Sequence, residues 1–276
     1  MNLLQSVLYG FLSGIADIVP VSSRAHGILL LKIFGTTVDS NFVLLFFHVG
    51  VLLALHTSSV SNLTRIRRAL ALARVPKKKR RRPLDMKSLM DFRLLRTMAV
   101  PIILAYLFYG KAYAMGANHW LVAIFLFVNG VVLYIPQWLP TGNKDARSMS
   151  RVDGLLIGLG GAVSILPGMS YMGGMLSVGS VCGVDKQYNL DNALIAGILV
   201  NLCIVVSDLL RMLDAGLTGI TFQIVLTCLA TGAAAFGGTL LGVKILRNFT
   251  KSGSYTLFSF YCWGLALFTF FLNLVA

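Results

Sequence analysis

Pro20-Val21-Ser22-Ser23-Arg24-Ala25-His26, with Asp17 just before it, interrupts an apolar segment that runs from residue 3 to residue 35. A proline, two serines, a histidine and a carboxylate each cost free energy in hydrocarbon unless paired, hydrated or used. The rest of the chain shows that hydrocarbon is the relevant solvent. Of its 276 residues 57% are hydrophobic and only 12% charged, against about 25% charged in a soluble domain. The mean hydropathy is +0.79. The polar heptad is therefore a break in a membrane segment and the first candidate for a functional site.

Six apolar runs have the length of a full crossing, at about 42–58, 95–111, 119–138, 189–211, 222–246 and 254–275. Two further segments are interrupted, residues 3–35 at the heptad and residues 152–179 at Pro167-Gly168-Met169-Ser170. Neither is long enough for two ordinary crossings. Each suits a re-entrant helix–break–helix hairpin, whose irregular backbone needs shielding by protein or a polar cavity. The expected fold is an all-α polytopic membrane protein with six transmembrane helices and two re-entrant hairpins.

Charge gives the orientation. The formal net charge is +14, and thirteen Lys or Arg against Asp85 and Asp91 lie between Arg65 and Arg96. Lys77-Lys78-Lys79-Arg80-Arg81-Arg82 is the centre of this run. No aromatic residue interleaves with it, so a cytoplasmic loop at 60–94 is favoured over a nucleic-acid site. With the first hairpin opening outside, 112–118 falls outside and 139–151 inside. The second hairpin then opens inside, 212–221 falls outside and 247–253 inside. Every basic loop lands on one side, as the positive-inside rule requires. The N-terminus lacks a basic n-region, so no cleavable signal is expected. Cys182, Cys203, Cys228 and Cys262 have no metal-like spacing and read as small buried hydrophobes. Phe268 to Phe271, Trp120 and Trp138 read as lipid-facing or interfacial packing.

The two halves, 1–138 and 139–276, resemble one another. Gly10…Gly14 precedes Pro20-x-x-Ser23, and Gly154…Gly158 precedes Pro167-x-x-Ser170, with a three-residue difference in spacing. Similar hairpins entered from opposite sides imply an inverted-topology repeat, whose site lies where the breaks meet near the midplane.

Helix N-termini at such breaks favour anions. Gly168 and Gly173 would let backbone approach a phosphate, and Ser22, Ser23 and Ser170 would donate to it or supply a nucleophile. His26 lies three residues after Ser23 and is a candidate base toward it. Asp17 would orient His26 or hold a divalent cation, Mg or Ca, shared with a phosphate. Arg24 adds positive charge. The bland alternatives are capping by Ser22, Ser23 and Asp17, a backbone bond from His26, and snorkelling by Arg24. His48 divides evenly between an interhelical bond and a wall of the site. Asn201 and Asp208 read as interhelical contacts.

Pro20-Val21-Ser22-Ser23-x-x-His26, followed by Pro167-Gly168-x-Ser170 in a second half, resembles the bacterial undecaprenyl-pyrophosphate phosphatase family of the bacitracin-resistance type. The resemblance covers essentially the whole chain. It implies an inverted repeat in the bacterial inner membrane that hydrolyses a polyprenyl pyrophosphate to the monophosphate. It places the nucleophile on Ser23 and the histidine on His26. Two family glutamates fall on Ser13 and Asp17, and the family arginine of the second motif falls on Tyr171. Implied partners are the polyprenyl phosphate or pyrophosphate lipid, the membrane and a homodimeric copy, with no nucleic acid. The alternative is a catalytically degenerate relative that binds or translocates the lipid.

Overall fold

The computed structural model describes residues 1–36, 41–80, 82–214, 221–252 and 254–275. Most of the expected loop 212–221, and Arg81 of the basic run, lie outside the described residues. The described chain folds as α-helices in the order α1 (Leu3–Ile18), α2 (Ser23–Ile33), α3 (Asn41–Ala73), α4 (Met86–Tyr106), α5 (Tyr109–Ala114), α6 (His119–Tyr134), α7 (Arg151–Ala162), α8 (Tyr171–Val181), α9 (Lys186–Asp214), α10 (Phe222–Ser252) and α11 (Thr256–Val275). No β-strand occurs among the described residues. Helices α3, α6, α9, α10 and α11 are each long and apolar enough to cross a bilayer, α6 with its terminal turn through Trp138. The bent pair α4–α5 makes a sixth if it counts as one span.

Three boundaries differ from the sequence expectation. The segment 95–111 is not a continuous helix: it bends by 61° between Tyr106 and Tyr109. The bend carries Tyr109 and Tyr113 toward α2, where the carbonyls of Ala112 and Tyr113 accept from the Arg24 guanidinium. The loop 60–94 is largely helical, because α3 continues to Ala73 and α4 begins at Met86. Its start is fixed by Asp85, whose carboxylate caps the Ser88 amide at 3.1 Å. Helix α10 likewise runs on through most of the expected loop 247–253.

The packing crosses between the halves. Helix α1 lies along α10 and α7 along α4, while α3 contacts both α9 and α10, and α6 pairs with α11. Glycine makes the first two contacts close. A Cβ built on Gly14 would lie 2.6 Å from the Ala235 carbonyl oxygen, and one on Gly158 would lie 2.7 Å from Met98 Cα. Small residues at helix interfaces of this kind let backbones touch, which is how helices gain dispersion contact where lipid removes the hydrophobic incentive.

Both expected breaks are present. Helix α1 ends at Ile18, where Pro20 has no N–H to continue it, and α2 starts at Ser23. The break before α8 runs from Leu166 to Ser170. Gly168 there has φ +111 and sits against α6, so that a Cβ would be 2.7 Å from the Val122 carbonyl oxygen. Only glycine satisfies both conditions. The connection to α7 is tied down locally. Ser150 and Asp153 form a capping box, and Lys144 pairs with Asp153 at 3.3 Å.

Of the four cysteines, Cys228 and Cys262 are buried and Cys182 and Cys203 partly so. Trp120, Trp138, Phe268, Phe270 and Phe271 lie on the exterior, as expected for lipid-facing rings.

Candidate functional site

The two breaks face one cavity of about 310 Å³. Its polar wall comes from the break residues Ser22, Ser23, Arg24 and Ser170, with Asp17 and Tyr171 flanking them. Its apolar wall includes Ile28, Leu31 and Leu44, and four more tyrosines, Tyr9, Tyr106, Tyr109 and Tyr113, line the space.

Ser23 Oγ donates to Asp17 Oδ1 at 2.8 Å, and Tyr171 Oη donates to Asp17 Oδ2 at 2.7 Å. Asn201 Nδ2 approaches the same oxygen at 3.4 Å and Tyr171 Oη at 3.3 Å. The carboxyl is 4% exposed and held from both halves of the chain. A half-buried hydroxyl on a cavity wall donating to a buried carboxylate is the geometry of a nucleophile beside its base. Ser22 caps α2 through the Ala25 amide at 3.4 Å and adopts φ +70, ψ 96. It is the one non-glycine residue with positive φ among the described residues. A β-carbon in that region costs on the order of 1–3 kcal/mol, and such strain concentrates at functional sites.

Arg24 reaches across the cavity. Its Nη1 donates to the Ile165 carbonyl at 2.9 Å, and its Nη2 to the carbonyls of Ala112 and Tyr113 at 3.1 and 2.6 Å. Its guanidinium also lies over the Tyr113 ring, 4.8 Å from the centroid. Three of the five N–H groups are used, which leaves donors for an anion. Ser170 lines the cavity and caps α8 through the Gly173 amide at 3.2 Å.

Three expected site residues sit elsewhere. His26 does not line the cavity: its Nδ1 bonds the Ser22 carbonyl at 2.8 Å and its Nε2 bonds Tyr261 Oη at 2.7 Å on α11. Its ring stacks on Tyr261, so both nitrogens are engaged away from Ser23. The helical spacing was right, but the turn of α2 sends residue 26 outward. Gly168 and Gly173 also lie outside the cavity wall. Gly168 packs on α6, and Gly173 faces Pro20, Leu133 and Asn129. Their small size serves helix contact rather than phosphate approach.

The sequence reading missed one residue. Asn129 on α6 is fully buried and joins the two breaks. Its Nδ2 donates to the Pro20 carbonyl at 2.9 Å, and its Oδ1 accepts from the Ser170 amide at 3.0 Å. A lone Asn in an apolar span was the available signal. His48 meets both of its expected alternatives: it lines the cavity, and its Nδ1 makes an interhelical bond to Asp208 Oδ2 at 2.6 Å. Asp208 pairs in turn with Arg211.

A divalent cation does not find a complete site in these side chains. Among the described residues Asp17 is the one carboxylate on the cavity wall, and both its oxygens already accept hydrogen bonds. No group of three His, Cys, Asp or Glu placed to hold a metal occurs among the described residues. Ser13, where a second carboxylate was expected from the resemblance, has no charge to contribute.

Against known proteins, the family described as Bacitracin resistance protein BacA matches residues 6–268. An undecaprenyl-diphosphatase of Methanobrevibacter smithii is 28% identical over 277 residues, covering 98% of this chain and 97% of its own. One of Desulforapulum autotrophicum is 27% identical over 291 residues and covers both chains completely. An undecaprenyl-diphosphatase 1 of Shouchella clausii is 26% identical, covering 98% of this chain and 96% of its own.

Proposed function

Because the chain belongs to the bacitracin resistance protein BacA family, we propose that it is a membrane phosphatase that hydrolyses a polyprenyl pyrophosphate, undecaprenyl pyrophosphate in the first instance, to the monophosphate. The observation that carries this reading is the Ser23 hydroxyl donating to Asp17 at 2.8 Å on the wall of a cavity that both helix breaks face. Ser23 Oγ attacks the terminal phosphorus, its proton passes to Asp17 Oδ1, and the bond to the lipid monophosphate oxygen breaks. Arg24 and the first amides of α2 and α8 face the charge that builds on the phosphoryl oxygens. Tyr171 and Asn201 hold Asp17 in place from the other half. The apolar wall accommodates the start of the prenyl chain, the rest of which lies in the bilayer.

Within this reading the two halves form an inverted repeat, and residues 3–35 and 152–179 are re-entrant hairpins. The matched glycine pairs support it. Gly10 and Gly14 on α1 meet α10, and Gly154 and Gly158 on α7 meet α4, at corresponding places in the two halves. Arg24 takes the part of the family arginine that Tyr171 replaces, and the basic segments face the cytoplasm of a bacterial inner membrane. The test is phosphate release from a polyprenyl pyrophosphate by purified protein. Ser23→Ala is expected to lower it by roughly 10³-fold or more. No release from the wild type above background refutes the reading.

A further inference from the structure

His48 is the cavity's imidazole, and nothing in the first chemical step uses it. It stands on α3, lines the cavity that Ser23 and Asp17 share, and is mostly buried. Its Nδ1 is bound by Asp208 of α9 at 2.6 Å. Asp208 is itself buried, and its other oxygen pairs with Arg211. Arg211 is fixed by the Tyr113 ring, 3.7 Å from the guanidinium carbon to the centroid. The carboxylate therefore fixes the tautomer with the proton on Nδ1 and leaves Nε2 as an acceptor. Nε2 makes no hydrogen bond among the described residues. A carboxylate-oriented imidazole with one nitrogen unengaged beside a reaction cavity is the arrangement of a general base.

We propose that His48 is the base of the second half-reaction, with Asp208 as its positioning residue; this rests on the phosphatase reading above. The first step leaves a phosphate ester on Ser23 Oγ and a proton on Asp17. In the second, a water attacks the phosphorus while giving its proton to His48 Nε2. The bond from phosphorus to Ser23 Oγ breaks, and Asp17 returns its proton to that oxygen. Inorganic phosphate departs and His48 then loses its proton to solvent, so the cycle closes with no other reactant. The two carboxylates divide the work. Asp17 serves the serine, and Asp208 serves the imidazole. His26, held by Ser22 and Tyr261, takes neither part.

The test uses the full-length protein and a polyprenyl pyrophosphate labelled on its terminal phosphate. His48→Gln, whose amide still reaches Asp208, is expected to slow turnover by about 10²- to 10⁴-fold. It should nevertheless release the lipid monophosphate in a rapid first turnover. Acid quenching should find the label on the protein, and Ser23→Ala in the same background should abolish it. Trapped label also reports that the variant is folded. In a second arm, His48→Ala should regain turnover when imidazole is added, which a merely structural loss would not do. Asp208→Asn should slow the same step with KM unchanged. His48→Gln turning over within about twofold of wild type, or a folded His48→Gln that traps no label, overturns the assignment. A wild type inactive on the lipid refutes the phosphatase reading itself, and an active one with an unaffected His48→Gln refutes the His48 role alone.

Discussion

Replacing Asn129 by Leu removes the one side chain that bonds both helix breaks. The Pro20 carbonyl is left with Cys262 Sγ at 3.9 Å, and the Ser170 amide loses its acceptor. Taking a hydrogen bond from a buried group costs about 1–3 kcal/mol. Interhelical hydrogen bonds inside membranes have lower values, averaging about 0.6 and reaching about 1.7 kcal/mol. The two ranges meet at about 2–3 kcal/mol for the pair, a fall in melting temperature on the order of 5–10 °C. The catalytic loss is expected to be larger, because Ser23 and Ser170 approach the substrate from different breaks. A misplacement near 1 Å costs on the order of 10²-fold. Melting followed by intrinsic fluorescence in detergent, together with phosphate release, measures both effects. Asn129→Leu that melts within about 1 °C of wild type and keeps its rate refutes the reasoning.

Further outcomes are expected. Arg24→Ala should lower phosphate release by about 10²- to 10³-fold, and Arg24→Lys should restore only part of it, since one ammonium cannot span Ile165, Ala112 and Tyr113; an unchanged Arg24→Ala rate sinks its role in place of the arginine. Gly14→Leu and Gly158→Leu should fail to accumulate as folded protein, whereas Gly110→Ala, with nothing within 4 Å of the added carbon, should be tolerated. Tyr171→Phe should slow the first step by about tenfold by removing one hydrogen bond from Asp17, read as a slower burst. Cysteine labelling of intact cells should find position 80 protected and position 115 accessible; the reverse pattern would rule out the proposed orientation.

Much of the architecture was legible because membranes punish polarity. Pro20 and Pro167 remove backbone donors where no water replaces them, so the ends of α1 and the start of α8 follow from those positions. The spans followed from length and hydropathy. The bend at Leu107–Phe108 did not, because it depends on Arg24, more than 80 residues away, taking up the carbonyls of α5. Asp17 and Ser23 stood out as polar neighbours in an apolar segment, but their bond to each other did not, since Asp17 was expected to orient His26 or hold a cation. The site was illegible where direction mattered. Spacing puts Ser23 and His26 a turn apart, yet their side chains point to different surroundings. His48 and Asp208 were legible as interhelical polar residues, but not as each other's partners, and Asn129 was not legible at all, because single polar residues in apolar runs do not name their partners.

The crossing of α1 onto α10 also sets an order of assembly. During synthesis α1 ends at Ile18, about 200 residues before Phe222, where the helix that covers its glycine face begins. The α1–α2 segment is therefore made with Asp17 and a bare glycine groove, and it waits for most of the chain to be made. No prefix of the polypeptide ending before α10 covers that groove, although every residue lining the cavity is by then in the chain. Chains that stop before α10 therefore leave the α1 glycine face bare to whatever surveys the bilayer for misassembled proteins.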